Sequence, residues 1–112
     1  MAKSEFYTNI FDVVRLIPEG RATSYGAIAK YLGAAKSSRV VGWAMNQSHT
    51  LEDKIPAHRV VNRLGMLSGK MHFATPDTMQ NRLEEEGVHV KKDCIQNWEN
   101  VFWDPNLELD YE

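Results

Sequence analysis

The sequence predicts a small, mostly helical α/β domain of the α+β kind, organised around a helix-turn-helix. Three observations predict it. Apolar residues recur at helical spacing in segments bounded by Ser or Thr at the start and by Gly or Pro at the end. One intervening stretch, Ile55 to Leu67, mixes β-branched residues with turn formers around Asn62 and Gly65 and reads as short extended pieces or a loop. A chain of 112 residues with 43% hydrophobic content suffices for one core and is too short for two ordinary domains.

The elements follow in order. Phe6, Ile10, Val13, Val14 and Ile17 share a helical face behind a Ser4 cap, so a helix is expected over about residues 5–17, ended by Pro18-Glu19-Gly20. Thr23-Ser24 caps a short second helix carrying Ile28, Ala29 and Leu32, with Gly33 as its left-handed terminator. Ser37-Ser38 caps a third, from about Arg39 to Gln47. Two short helices around a tight Gly-containing turn carry the helix-turn-helix signature, whose second helix commonly enters a DNA groove. Taken alone, the pattern also fits an ordinary pair of core helices. A fourth helix is marked by Thr75 as cap, Pro76 at the first helical position, Met79 and Leu83 inside and Gly87 at the end. Val88-His89-Val90 reads as a short strand, and the segment from Asp104 onward as acidic and loosely held. The expected organisation is one domain over residues 1–105 and an acidic tail over 106–112.

Net charge is −2, which by itself argues against a polyanion partner. Its distribution argues the other way. Residues 20–70 hold eight Lys or Arg against two acids, Glu52 and Asp53, whereas residues 71–112 hold three basic and ten acidic residues. One side suited to a polyanion and an acidic end that is solvated or meets another partner are expected. No apolar run approaches the length of a membrane helix, and no secretory leader is evident at the N-terminus, so a soluble protein of the cytoplasm, or of the nucleus in a eukaryote, is expected. The single cysteine, Cys94, excludes an internal disulfide framework. His49, His58, His72 and His89 with Cys94 show no zinc-ligand spacing, so neither metal nor cofactor is expected.

The segment Ile55-Pro56-Ala57-His58-Arg59-Val60-Val61 resembles the Pro-Cys-His-Arg-Val active-site motif of O6-alkylguanine-DNA alkyltransferases, with Ala57 in the cysteine position. Other landmarks agree in order and spacing. Ile17-Pro18-Glu19-Gly20-Arg21 resembles the family's turn before the helix pair, Thr23-Ser24-Tyr25-Gly26-Ala27-Ile28-Ala29 its first helix, and Ser38-Arg39-Val40-Val41-Gly42-Trp43-Ala44-Met45 its recognition helix. Arg82-Leu83-Glu84-Glu85-Glu86-Gly87 resembles its later acidic helix end. The resemblance covers about residues 6–90 and is nearest to the alkyltransferase-like proteins, which keep the scaffold without the nucleophile. It implies a winged-helix-like, helix-turn-helix domain of the alkyltransferase C-terminal type.

The resemblance also implies roles. In the alkyltransferases a cysteine thiolate takes the alkyl group from the base, helped by a His oriented by a Glu; His58 and Glu86 match those two, while Ala57 has no nucleophilic atom. Arg39 matches the finger inserted through the minor groove, and Tyr25 the residue that turns the phosphate of the flipped nucleotide. Gly42 suits close approach of the helix to the minor groove, with packing against another helix as the alternative. Trp43 departs from the small residue of the alkyltransferases, and packing or DNA contact both remain open for it. The loop Asn62 to Lys70 corresponds to the wall of the base pocket, with Lys70 where alkyltransferase-like proteins place an Arg against the base. The implied lesion pocket is therefore Tyr25, Ala57, His58 and Lys70, and Arg59 is expected to hold the local fold. Alanine at 57, where many alkyltransferase-like proteins have Trp, leaves room for bulky O6 adducts.

The implied function is a monomeric, non-enzymatic sensor that flips O6-alkylguanine from duplex DNA and directs it to nucleotide excision repair proteins. Two other readings stand beside it. One is an alkyltransferase inactivated by a Cys→Ala replacement, or one using Cys94. The other is a sequence-specific helix-turn-helix regulator, for which Arg39, Asn46 and Gln47 form a thin set for reading base edges.

Overall fold

The structure, a computed structural model, describes residues 3–49 and 55–109, with side chains from Glu5 onward. Glu52, Asp53 and Lys54 of the central segment and tail residues 110–112 lie outside the described residues, and the expected Ser4 cap is corrected, because the helix begins at Lys3 and contains Ser4. Helix α1 (Lys3–Arg15) buries Ile10, Val13 and Val14 on one face. It stops two residues short of the expected end, because Leu16 N–H and Ile17 N–H bond to Val13 O and Val14 O and tighten the chain before Pro18. Ile17 remains fully buried in that turn.

Strand β1 (Thr23–Ser24) leads directly into α2 (Tyr25–Tyr31), where Ser24 Oγ accepts from Ala27 N–H at 3.1 Å as the cap the sequence predicts. Gly33, at φ 77°, ends the helix, and the turn delivers the chain to α3 (Ser38–Ser48). Ser37 occupies the N-cap of α3 without a side-chain hydrogen bond to the backbone. Val41, Ala44 and Met45 of α3 pack with Ile28 and Ala29 of α2 and the buried face of α1, so the helix-turn-helix rests on a common core. Val40 is partly buried against this core, while Trp43 is half exposed.

A single 3-10 turn, Ala57–Arg59, precedes β2 (Val60–Val61), which pairs in parallel with β1 in the register Thr23 to Val60 and Ser24 to Val61. This pairing sets the start of the helix pair beside the Ala57-His58 turn. Because Tyr25 follows β1 and Arg59 precedes β2, two short strands suffice to bring together residues more than thirty positions apart.

The chain then folds a second core from Ala22, Val61, Leu67, Met79, Leu83, Val88, Val90 and Ile95. Helix α4 (Thr78–Glu85) supplies Met79 and Leu83. It starts later than Pro76, the expected first residue: the Thr75 hydroxyl engages the Thr78 hydroxyl at 2.9 Å instead of capping backbone N–H groups. Gly87, at φ 91°, ends α4 as expected. The predicted strand at 88–90 begins only at Val90, because Val88 N–H is still bonded to Leu83 O at the end of α4. Strands β3 (Val90–Lys91) and β4 (Cys94–Ile95) form an antiparallel wing whose two-residue turn, Lys92-Asp93, has positive φ at both positions.

The C-terminal segment is better held than the sequence suggests. Helix α5 (Trp98–Val101) is followed by Phe102, which bridges Ala22, and by buried Trp103. Asp104 caps α6 (Pro105–Glu108) through Asn106 N–H, Pro105 is buried at the first helical position, and Asn106 Nδ2 donates to Ala27 O at 3.3 Å. The expected loose tail is thus corrected for residues 104–108, and the expected boundary after 105 falls inside α6. Among the described residues no helix is long and apolar enough to cross a membrane.

The pocket loop is shaped by Asn62 and Gly65. Asn62 Oδ1 accepts from the backbone N–H groups of Leu64 and Met66, closing the turn, and Trp98 seals it by donating Nε1–H to Arg63 O at 3.1 Å. Gly65 sits at φ 80°, where an added Cβ would lie 3.0 Å from the Trp98 ring. Both the dihedral and the ring exclude a side chain. Gly65→Ala is expected to lower stability by about 2 kcal/mol in urea unfolding; an unchanged midpoint would show that the loop is free to move off the ring.

Candidate nucleic-acid interface

Tyr25, at the first turn of α2, separates two clefts. The larger, about 360 Å³, has Arg39, Gly42, Trp43 and Asn46 of α3 on one wall and Ser68, Gly69 and His72 on the other. The smaller, about 330 Å³, lies between Tyr25, Gly26 and Ser38 and the loop residues Asn62, Arg63 and Leu64. Tyr25 is fixed by its surroundings. Its hydroxyl bonds Ser68, and a Cβ on Gly69 would come within 2.9 Å of that oxygen, so Gly69 is the only residue type that lets the loop close on the ring. Burial raises the phenol pKa more than the Ser68 bond lowers it, leaving an uncharged O–H at neutral pH.

Arg39 is exposed in the first turn of α3, on the same cleft. Its guanidinium is planar and permanently charged, and the helix N-terminus beneath it adds positive potential. Gly42 lies one turn on. An added Cβ there would meet only the Tyr25 ring, at an ordinary 4.0 Å, so packing inside the protein does not demand glycine at this position. Mid-helix glycine lowers stability by roughly 0.5–1 kcal/mol relative to alanine. The packing alternative for Gly42 is thus removed, and the α3 backbone at this position borders the cleft. Trp43 is 50% exposed and lines both this cleft and an apolar groove with Phe6, Leu32 and Val40, which removes core packing as its role.

Beneath the clefts lies a buried polar shell. His58 Nε2 and Glu86 Oε2 are 2.8 Å apart. Arg59 reaches the same carboxylate with Nε at 3.0 Å and Nη2 at 2.7 Å and donates Nη1–H to Ile17 O at 2.8 Å. Gly20 N–H completes the set at 3.2 Å from Glu86 Oε1. Burial raises the Glu86 pKa, but the bonds from Arg59, His58 and Gly20 outweigh it and bring the value down to about 2. For His58, burial lowers the pKa more than Glu86 raises it, so at neutral pH the ring is uncharged and donates Nε2–H to the carboxylate. Its Nδ1 is buried with no hydrogen-bond partner among the described residues. Arg59 holds the local fold, as the sequence indicates.

The structure brings Tyr25, Arg39 and Gly42 together and keeps the other three pocket candidates apart from them. Ala57 is 5% exposed and packs in the core; His58 is turned to Glu86; neither lines the clefts. Lys70 does not line them either. Its Nζ is held by Asp93 Oδ2 at 2.7 Å, because the tight wing turn presents Asp93 to the loop and Leu67 N–H secures Asp93 O. Cys94, on β4, has a free, partly buried thiol, and its backbone forms an antiparallel bridge with Met66. Ser68 and Gly69 lie on the cleft within the loop expected to wall the base pocket, whereas His72, just beyond that loop, is a cleft residue that the motifs did not single out.

With this geometry in view, the comparisons with known proteins are decisive. Residues 5–88 match the family described as 6-O-methylguanine DNA methyltransferase, DNA binding domain. The chain belongs to this family. Within it, the chain is similar to alkyltransferase-like protein 1 of Schizosaccharomyces pombe, with 37% identity over 94% of this chain and 100% of that protein. A DNA base-flipping protein of Escherichia coli is 36% identical over 79% of this chain, which spans 66% of that relative's length. The crystal structure of S. pombe Atl1 in complex with damaged DNA containing O6-carboxymethylguanine superimposes with a TM-score of 0.84 at 38% identity, covering 94% of this chain and 100% of that one. A methylated-DNA–protein-cysteine methyltransferase of Methanosarcina acetivorans is 38% identical over 59% of the chain, which spans 42% of that enzyme's length. The family thus includes proteins named for catalysis and proteins named for base flipping, and this chain has alanine at its motif.

Two outcomes follow. The Glu86 carboxylate contributes stability in full above the unfolded-state pKa of about 4.5, and that contribution disappears as pH falls toward about 2. Glu86→Gln should lose about 2–3 kcal/mol at pH 7 and show a flatter acid limb in urea titrations between those pH values. Gly42→Ala should leave the urea midpoint equal or higher while weakening duplex binding several-fold by anisotropy; a stable variant with unchanged affinity would remove close approach as the reason for the glycine.

Proposed function

We propose that this chain is a non-enzymatic sensor that binds duplex DNA through the minor groove, rotates O6-alkylguanine out of the stack and holds it without chemistry. The observation that carries the reading is the complete His58–Glu86–Arg59 shell around a turn whose first residue, Ala57, offers no nucleophile. The shell is kept while the atom it would activate is absent, and His58 Nδ1 is left without a partner. The relatives that bind damaged DNA or are named for base flipping support the same reading.

The steps assign work to named groups. Electrostatic attraction to the phosphates brings the Arg39 end of α3 to the duplex, and Gly42 permits a close fit. Extruding a base costs a few kcal/mol of stacking and pairing, less at a damaged pair. Arg39 fills the space left in the stack, and the uncharged Tyr25 hydroxyl, held at Ser68, turns the phosphate of the moving nucleotide without adding a repelling charge. The base comes to rest against the 62–69 loop, near the Ala57-His58 turn. Lys70 would join it only by exchanging Asp93 for the nucleotide. The held lesion then directs nucleotide excision repair proteins to the site, with the protein acting as a monomer in the cytoplasm or nucleus.

Affinity for matched duplexes with and without one O6-methylguanine, measured at stated salt while alkyl loss is followed by mass spectrometry, tests this reading. Preference for the lesion of at least tenfold, no alkyl transfer, and a loss of about tenfold or more in Arg39→Ala are expected. Equal affinity for both duplexes would reject lesion sensing, and stoichiometric alkyl transfer would restore the enzymatic reading.

A further inference from the structure

The cleft wall opposite α3 ends in a group of cations that the flipping steps leave unused. His72 lines the cleft across from Arg39. Behind it, His49 at the C-terminal end of α3 packs edge-on against Phe73, with ring centroids 4.5 Å apart, and Arg82 of α4 lies 5.8 Å from the centre of the same Phe73 ring. His49 and Arg82 thus meet at the Phe73 ring, while the adjacent residue His72 lines the cleft. The groups near His72 among the described residues are His49 and, across the cleft, Arg39 and Tyr25. Among the described residues the cleft lining contains no carboxylate. On the same turn Lys70 is already neutralised by Asp93. His72 is exposed, and no ion pair among the described residues engages it.

We infer that His72 is a second phosphate-binding group of the cleft, with His49 and Arg82 behind it, and that it contacts the DNA backbone as the imidazolium. This rests on the cleft being the DNA site. A polyanion is the chemistry that fits, because Arg39 and His72 face each other across a cleft whose described lining has no carboxylate. Burial, and then the charges of His72 and Arg82, lower the pKa of His49, consistent with mutual repulsion in the absence of an anion. An imidazole binds phosphate most strongly as the imidazolium, so a backbone contact through His72 tightens DNA binding in acid.

The test is duplex affinity by anisotropy at pH 5.5 and 7.5 and at several salt concentrations, with and without the lesion, for wild type, His72→Gln and, as a control away from the cleft, His89→Gln. Wild type and His89→Gln should bind both duplexes about fivefold more tightly at pH 5.5, with a salt slope steeper by about 0.9, as one further neutralised phosphate requires. His72→Gln should lose both changes while keeping its lesion preference. Affinity independent of pH in wild type, or full pH dependence in His72→Gln, overturns the inference even if lesion preference is intact. Loss of lesion preference with the pH effect present would instead count against flipping and leave the phosphate contact standing.

Discussion

The Glu86 carboxylate is the constraint on which the site depends. It is a largely buried anion satisfied by Arg59, by His58 and by the Gly20 amide, and Arg59 in turn holds the Ile17 carbonyl. Those contacts join the end of α4, the turn before β1 and the turn before β2. With the parallel β1–β2 pair they fix where the Ala57-His58 turn stands relative to Tyr25 and α3. Removing any donor would leave a buried charge short of partners, which is why the arrangement persists as a unit whether or not a nucleophile stands beside it.

Above that shell, the cleft combines a permanently charged finger, a fixed neutral phenol and a helix with a glycine that the protein interior does not require. A net charge of −2 is compatible with such a face because the acids are concentrated after residue 70. Lys70 shows how closely the balance is set. Its pairing with Asp93 removes one cation from the surface until something outcompetes the carboxylate.

Much of the fold was legible because it rests on local signals. The Ser24 cap, the left-handed Gly33 and Gly87, and the apolar face of α1 are written in consecutive residues. The family membership was legible through motifs that the comparisons bear out over residues 5–88. Tertiary effects escaped. The start of α4 shifted because two threonine hydroxyls satisfy each other, and residues 104–108 are held by buried Pro105 and the Asn106 bond to Ala27, which no acidic composition reveals. The capture of Lys70 depends on a wing turn that places Asp93 23 positions away in sequence within 2.7 Å. His72 belongs to the cleft only because Gly69 allows the loop to close on Tyr25.

Extrusion of the base is the central claim, and fluorescence of 2-aminopurine placed at the target position of a duplex reads it directly, since the analogue brightens when unstacked. A rise in emission on saturation with wild type, absent with Arg39→Ala at equal occupancy, is the expected result. Saturated binding by wild type with no change in emission would contradict it, and would mean that this surface holds DNA without opening the stack.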